Sequence, residues 1–185
     1  LPFEEKEDVA VNIYSKSYGE NWVRILWKND SNDAAGFVAS SETDYTKRTT
    51  QSMDIDMTDE EQLWCLVGSE SKGVKIYNRA AGEQYALHVA NTSEATPAKL
   101  VAASSACQWK LVAKNGFYAI TPASNTNMSI NSYGGPNSPL KLYNANDNGS
   151  LWNFEVVTEG MKMTTIIEGE NPYAENNIWA GDLAF

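Results

Sequence analysis

The chain has 185 residues, 42% of them hydrophobic and 21% charged, a balance typical of one globular domain and not of a disordered segment. Its 14 Lys and Arg residues against 24 Asp and Glu residues give a formal net charge of −10, which disfavours nucleic acid and anionic membrane surfaces as partners. No apolar run approaches the roughly 18 residues that cross a bilayer as a helix, so we expect no membrane insertion.

Residues 1–20 begin with a charged patch at residues 4–8. Val9, Val11 and Ile13 then recur at every second position, which is the spacing of side chains on one face of a strand. This pattern predicts a leader strand packed on the main body.

From residue 22 onward, short runs rich in β-branched and aromatic residues alternate with turns rich in Asn, Asp, Ser, Gly and Pro. These runs predict three sets of four strands: 22–27, 36–40, 51–56 and 62–67; 74–77, 85–89, 99–102 and 108–112; and 117–120, 128–130, 140–143 and 151–157. No helical period longer than about one turn interrupts them. The chain is therefore expected to be all-β.

A tryptophan lies at the start of the last strand in each set. Trp64, Trp109 and Trp152 are 45 and 43 residues apart, and such a period is typical of an internally repeated fold. Twelve strands in three sets of four predict a β-trefoil with pseudo-threefold symmetry, with the three tryptophans in its core. A sandwich of eight or nine strands is the alternative, but it gives no reason for the period.

We expect the trefoil domain to span residues 21–158, between an N-terminal extension and a C-terminal extension at 159–185. Its repeats are predicted at about 21–68, 69–113 and 114–158. Within the C-terminal extension, 163–167 is a candidate further strand, and the last residues are apolar. That apolar end, which we expect to pack on the domain or to lead to a further domain, consists of Ile178, Trp179, Leu183 and Phe185.

The repeats resemble those of ricin-type lectins, in which each repeat ends in Gln-x-Trp. The first repeat keeps this motif as Gln62-Leu63-Trp64, and the other two have Cys107-Gln108-Trp109 and Ser150-Leu151-Trp152. The resemblance covers about residues 22–157. It implies a non-catalytic carbohydrate-binding module of a secreted or cell-surface protein, with a glycan or oligosaccharide as partner. Such modules also occur attached to glycan-processing enzymes.

The resemblance also implies where a sugar would bind. In this family each pocket uses an aspartate on the second strand, an aromatic residue at the end of the third strand, and an Asn or Gln in the turn before the tryptophan. The aspartate position is expected near Val38 in the first repeat, at His88 in the second and at Ser129 in the third. None of these side chains is a carboxylate, so galactose in the usual pose of the family is not expected.

The third repeat is the best candidate for a sugar site. Its aromatic position is kept as Tyr143, whose flat ring suits the C–H face of a pyranose, and amides near it offer donors and acceptors to sugar hydroxyls. The alternative is an Asn-rich turn whose side chains cap their own backbone. The predicted ligand-binding residues, including three from the preceding strand and loop and the histidine of the second repeat, are Tyr143, Asn144, Asn146, Asp147, Asn148, Ser129, Asn131, Tyr133 and His88.

Other polar residues give weaker signals. His88 is the only histidine and has no nucleophile near it in sequence, so a structural or ligand-contacting role is expected and catalysis is not. The acidic residues at 54–61 lack the pattern of an EF-hand loop, which favours a solvated strand end over a calcium site. Cys65 and Cys107 either pair across two repeats or remain separate thiols. No cofactor or metal is expected.

Three function classes other than a lectin remain open at this point. A structural or protein-interaction trefoil with decayed sugar pockets is the first, and an exposed apolar patch around Trp179 and Phe185 would mark it. A protease-inhibitor-like trefoil is the second and would need a protruding loop, for which residues 43–50 are the longest candidate. An enzyme comes last, because the sequence contains no recognisable catalytic constellation.

Overall fold

The computed structural model describes residues 12–158, and within them thirteen strands and four single turns of 3-10 helix. A two-residue strand, β1 (Tyr14–Ser15), precedes three sets of four. These are β2 (Trp22–Trp27), β3 (Asp33–Phe37), β4 (Thr50–Asp54) and β5 (Trp64–Ser69); β6 (Gly73–Asn78), β7 (Tyr85–His88), β8 (Lys99–Ala102) and β9 (Trp109–Lys114); and β10 (Phe117–Pro122), β11 (Met128–Ser132), β12 (Leu140–Asn144) and β13 (Leu151–Val157). The 3-10 turns are Tyr45–Lys47, Glu60–Gln62, Ala103–Ser105 and Asn148–Ser150.

The first and last strands of the three repeats form a closed barrel of six strands. Their order in the sheet is β5, β6, β9, β10, β13 and β2, and β2 pairs back to β5 where Val23 lies opposite Trp64. Closure leaves no barrel strand with an unpaired edge. The remaining strands form three antiparallel hairpins, β3/β4, β7/β8 and β11/β12. The prediction of a β-trefoil with three four-stranded repeats is confirmed.

The core shows the same symmetry, because each repeat tryptophan makes the same hydrogen bond. The indole Nε1 of Trp64 donates to the carbonyl of Ala35 (3.0 Å), that of Trp109 to Leu87 (3.0 Å) and that of Trp152 to Ile130 (2.8 Å). All three rings are fully buried, so these bonds satisfy N–H groups that water cannot reach. Ala35, Leu87 and Ile130 are therefore equivalent positions in the three repeats.

Three strands coincide with their predicted bounds, 22–27, 99–102 and 151–157, and the largest shift is in β3. That strand was expected at 36–40 and begins at Asp33. The turn before it closes early, because the Asp33 N–H donates to the carbonyl of Asp30 (2.9 Å), and Ala34 and Ala35 are buried directly after it. The sequence predicts a turn here because Ala34 and Ala35 follow Asn and Asp residues. Their burial in the folded domain places them in a strand instead.

The extensions are described only in part. Of the N-terminal leader, β1 pairs in parallel with β5 at Leu66 and Val67. The predicted contributions of Val9 and Val11, the candidate strand 163–167 and the apolar C-terminal residues lie outside the described residues. In the part of the chain that the structure describes, no helix has the length and hydropathy needed to cross a membrane.

Candidate functional site

Equivalent positions fix the register of the three candidate pockets. The residues that follow Ala35, Leu87 and Ile130 are Gly36, His88 and Asn131. Each of them lies against the residue two positions before its repeat tryptophan, as three contacts show. A Cβ on Gly36 would lie 3.2 Å from Gln62 Cγ, the Cys107 N–H donates to His88 Nδ1 (3.0 Å), and Asn131 Nδ2 donates to Ser150 Oγ (2.9 Å).

This register corrects two of the three predicted aspartate positions. The position in the second repeat is His88, as expected. In the first repeat it is Gly36 and not Val38, and in the third repeat it is Asn131 and not Ser129. Val38 lies beyond the end of β3 and is 37% exposed. Ser129 is fully buried, where its hydroxyl donates to the Ser150 carbonyl (2.9 Å) and accepts from the Ile120 N–H (3.0 Å). Ser129 therefore stabilises the core and does not line a surface cleft.

In the first repeat a side chain covers the equivalent position. An ideal Cβ at Gly36 would lie only 2.7 Å from Met53 Sδ, so the methionine covers the place where a sugar would contact β3. Met53 also occupies the position that corresponds to Tyr143, because Ala35 pairs with Ser52 as Ile130 pairs with Leu142. The position equivalent to Tyr143 thus carries no aromatic ring in this repeat.

In the second repeat, one ring nitrogen of the histidine makes a hydrogen bond within the fold. His88 is half-buried, and its Nδ1 accepts the hydrogen bond from the Cys107 backbone. The position equivalent to Tyr143 is Val101, since Leu87 pairs with Leu100. Cys107 is a free thiol, as is the buried Cys65, so the two cysteines are not joined to each other. Burial raises the pKa of the Cys107 thiol above its ordinary value, and the group is therefore a poor nucleophile.

The third repeat brings two aromatic rings together over polar groups. The rings of Tyr133 and Tyr143 meet edge to face, with centroids 6.0 Å apart and planes at 71°. Both residues are half-buried. They line an open cleft of about 400 Å³ together with Glu94, Asn131, Gly134 and Asp147. Four of the predicted ligand-binding residues, Tyr133, Tyr143, Asn131 and Asp147, therefore share one cleft.

The polar floor of this cleft is held rigidly. Asn131 is 5% exposed, and its Nδ2 donates to Asp147 Oδ2 (3.1 Å) as well as to Ser150 Oγ. Asp147 Oδ2 also accepts from the Gly149 N–H (2.9 Å), which caps the 3-10 turn Asn148–Ser150. A Cβ at Gly149 would come within 3.0 Å of Asp147 Oδ2 and 3.1 Å of Asn131 Nδ2, so any larger residue there would displace both. None of the described hydrogen bonds uses Asn131 Oδ1.

Glu94 was not predicted, because it comes from the second repeat. Its loop runs along β12, where the Ala95 N–H donates to the Leu142 carbonyl (2.8 Å). The Tyr133 hydroxyl then donates to Glu94 Oε2 (3.2 Å). Desolvation, followed by this hydrogen bond and the charge of Glu94, raises the pKa of Tyr133, so the phenol remains a neutral donor well above physiological pH. No signal in the third repeat itself could have indicated this acid.

The predicted asparagine cluster is divided by the structure. Asn144 and Asn146 line a neighbouring cleft of about 520 Å³. Asn148 is exposed and is not among the residues that line either cleft. The Asn146 N–H donates to Asn144 Oδ1 (2.8 Å), so part of the turn caps its own backbone, as the alternative interpretation expected.

The remaining sequence signals have structural roles. Asp56 and Asp59 cap turns by accepting from the N–H groups of Thr58 and Glu61, and no cluster suited to a metal ion occurs among residues 12–158. The loop 43–50 is folded down onto the body. Its Arg48 is 5% exposed and bonds to both Glu61 carboxylate oxygens (3.3 and 3.2 Å) and to the Val38 carbonyl.

Comparison with known proteins identifies the fold. No protein-family model and no curated protein matches the sequence. Solved structures do match. A mosquitocidal holotoxin is 21% identical with a TM-score of 0.62, over 75% of this chain and 18% of that chain. A ricin B-like lectin of Macrolepiota procera, solved with lactose, is 14% identical with a TM-score of 0.58, over 76% of this chain and 99% of that one. An exo-β-1,3-galactanase of Clostridium thermocellum is 15% identical with a TM-score of 0.61, over 76% of this chain and 31% of the galactanase chain.

These likenesses confirm the resemblance to ricin B-like trefoils as one of fold. At such identities they carry no information about ligand. The chain spans less than a third of the toxin and of the galactanase, and almost all of the lectin.

Proposed function

We propose that this trefoil is a non-catalytic carbohydrate-binding module and that the third repeat holds its sugar site. The observation that carries the proposal is the cleft in which Tyr133 and Tyr143 stand over Asn131, Asp147 and Glu94. An apolar ring face beside fixed acceptors is the combination that a pyranose requires, since one face of the sugar is C–H and its edge is hydroxyl.

Each side chain has a role in this proposal. The Tyr143 ring supports the apolar face of the sugar. The carboxylates of Asp147 and Glu94 accept hydrogen bonds from hydroxyls, and Asn131 Oδ1 offers a further acceptor. The hydrogen bonds within the floor fix Asn131 and Asp147 before a ligand arrives, which reduces the entropy lost on binding.

Among the three equivalent repeat positions, only that of the third repeat carries an aromatic ring, which implies weak binding. Met53 covers the first repeat, and Val101 replaces the ring in the second. An open cleft that buries one sugar suits affinities in about the millimolar to micromolar range. Such a module would act by raising effective concentration as part of a larger secreted or cell-surface protein, and a glycan-processing enzyme is one such context. The lactose complex of the M. procera lectin shows that this fold can hold a sugar, and the proposal for this chain rests on its own cleft.

The experiment is a screen of the purified domain on a glycan array, followed by an ¹⁵N–¹H NMR titration of the strongest hit. We expect shifts at the Asn131 side-chain amide and at the backbone amides of Gly134 and Gly149. Shifts confined to Gly36 and His88, or to none of these residues, would contradict the assignment to the third repeat.

A structural or protein-interaction trefoil is the second candidate. It is favoured by the lack of an aromatic ring at Met53 and Val101, the positions equivalent to Tyr143, and by Met57, which is 72% exposed between β4 and β5. Its expected signature is silence on the array together with a stable oligomer or complex in solution. An inhibitor-like role is disfavoured, because the loop 43–50 does not protrude and Arg48 holds it to Glu61.

A further inference from the structure

We propose that the third-repeat site is extended and selects oligosaccharides, with a second sugar unit held in the neighbouring cleft of about 520 Å³. This inference rests on the proposed function of the Tyr143 cleft. It concerns what the site recognises beyond the first sugar.

The two clefts share a wall. Glu94 lines both, and its loop pairs with β12, the strand that carries Tyr143 into the first cleft and Asn144 into the second. Successive residues of a strand point to opposite faces, so the two clefts lie on either side of the end of β12 and meet at Glu94. A glycan chain that leaves the Tyr143 ring along Glu94 enters the second cleft directly.

The second cleft has the chemistry of a sugar subsite. Amide and hydroxyl side chains from three loops converge on it, together with one acidic residue, Glu94, and one basic residue, Lys114. Its polar lining residues include Thr92, Lys114, Asn125, Asn127, Asn144 and Asn146. Met128 and the buried Ala145 add an apolar surface. Groups that both donate and accept, next to a small apolar surface, suit a neutral pyranose.

Hydrogen bonds between the loops hold this cleft open. Asn125 Nδ2 donates to Thr92 Oγ1 (3.3 Å), which joins the loop after β10 to the loop after β7. Lys114 Nζ donates to Asn146 Oδ1 (3.1 Å) on the opposite wall. The side chain of Asn127 is exposed, and none of the described hydrogen bonds uses it, so it is available to a ligand.

The test compares chain lengths of one sugar. Isothermal titration of the wild-type domain with galactose and lactose, N-acetylglucosamine and triacetylchitotriose, and mannose and mannotriose identifies the sugar that binds. We expect the longer member of the binding pair to bind at least about tenfold more tightly than its monosaccharide, since two or three added hydrogen bonds are worth that much.

Asn127→Ala then locates the second unit. This variant is expected to weaken oligosaccharide binding about fivefold and to leave monosaccharide binding unchanged. Asn148→Ala is the matched control, since it removes an exposed asparagine from the same end of the repeat but from neither cleft, and it should change neither affinity.

Four results would overturn the inference, and they are distinguishable. Equal affinity for the monosaccharide and the longer sugar would refute the extended site and leave the proposed lectin function intact. An equal effect of Asn127→Ala on both ligands, or an effect of Asn148→Ala as large as that of Asn127→Ala, would refute the second cleft as the subsite. Absence of binding to any sugar in the panel would remove the proposed function and this inference together.

Discussion

At the scale of single residues, the third repeat has Asn131 at the strand position where the resemblance implies an aspartate, and the carboxylate of Asp147, from a turn, contacts it. Asn131 stands at the strand position and Asp147 lies 3.1 Å from its Nδ2. The pair therefore supplies an amide and a carboxylate where a lectin of this type has one aspartate. Such a replacement cannot be recognised from one position at a time, because its two halves are 16 residues apart.

Asn131→Asp distinguishes this arrangement from a decayed pocket. The substitution places a second carboxylate against Asp147 and removes the donor to Ser150 Oγ, so we expect a loss of about 2 kcal/mol in the free energy of unfolding and weaker sugar binding. The loss should shrink at acidic pH, where one carboxyl of the pair takes up a proton. Urea unfolding and sugar titration, with Asn131→Ala for comparison, measure both effects. Tighter sugar binding by Asn131→Asp would contradict the role given to Asp147.

At the scale of elements, the β3/β4 hairpin places an unfavourable charge in its first pair. Asp33 is 2% exposed, faces Asp54 across the ladder, and its Oδ2 has no hydrogen-bond partner. Burial, followed by the charges of Asp30 and Asp54, raises the pKa of Asp33. The folded protein thus binds this proton more tightly than the unfolded chain does. The stability contributed by Asp33 is fully present below its unfolded pKa and is lost as pH rises through its folded pKa.

Asp33→Asn should therefore stabilise the domain at neutral pH. We expect a gain of about 1 kcal/mol at pH 7, the order of the cost of one unpartnered buried polar atom, and no gain near pH 3, where Asp33 is protonated. Urea unfolding at both pH values measures the difference. Glu83→Gln removes one exposed negative charge elsewhere and is the control for net charge. A gain of equal size at both pH values would show that the pKa of Asp33 is not the cause.

The repeat tryptophans are the second feature at this scale. Trp152→Phe removes the indole donor to the buried Ile130 carbonyl and opens a cavity, so we expect a cost of about 3 kcal/mol, and the same for Trp64→Phe and Trp109→Phe. Only Trp152→Phe should also weaken sugar binding, because Ile130 precedes Asn131. Chemical unfolding of the three variants provides the measurement. A cost below about 1 kcal/mol in one repeat would show that the three tryptophans do not contribute equally to the free energy of unfolding.

Sequence reasoning reached the fold because the tryptophan period is a property of the chain itself. It also placed Tyr143, Tyr133 and Asn131 together, as the structure does in one cleft, since all three lie in one repeat. It missed the register of β3 and the equivalence of Asn131 with His88, because short strands tolerate shifts of one or two residues until a hydrogen bond such as that of Trp152 fixes them. It missed Glu94 because that residue reaches the site from another repeat through tertiary pairing.

At the scale of the whole molecule, the net charge of −10 and the two carboxylates in the cleft disfavour an anionic ligand, and the proposed sugar is neutral. Hydrogen bonds and ring contacts to an uncharged sugar are little affected by ionic screening. The affinity should therefore change less than about twofold between roughly 20 mM and 500 mM salt, and sulfated or sialylated glycans should bind more weakly than their neutral counterparts. Titration at the two salt concentrations tests this, and a steep loss of affinity with salt would indicate a charged ligand.

The most direct test of the central claim is a glycan array probed in parallel with the wild-type domain, Tyr143→Ala and Asn148→Ala. The account predicts neutral glycan hits that Tyr143→Ala abolishes and Asn148→Ala retains, with the thermal midpoint of both variants within a few degrees of the wild type, since both side chains lie at the surface cleft or outside it. Hits that survive Tyr143→Ala would place the sugar elsewhere on the trefoil. Silence of the wild type across the array would contradict the lectin function itself.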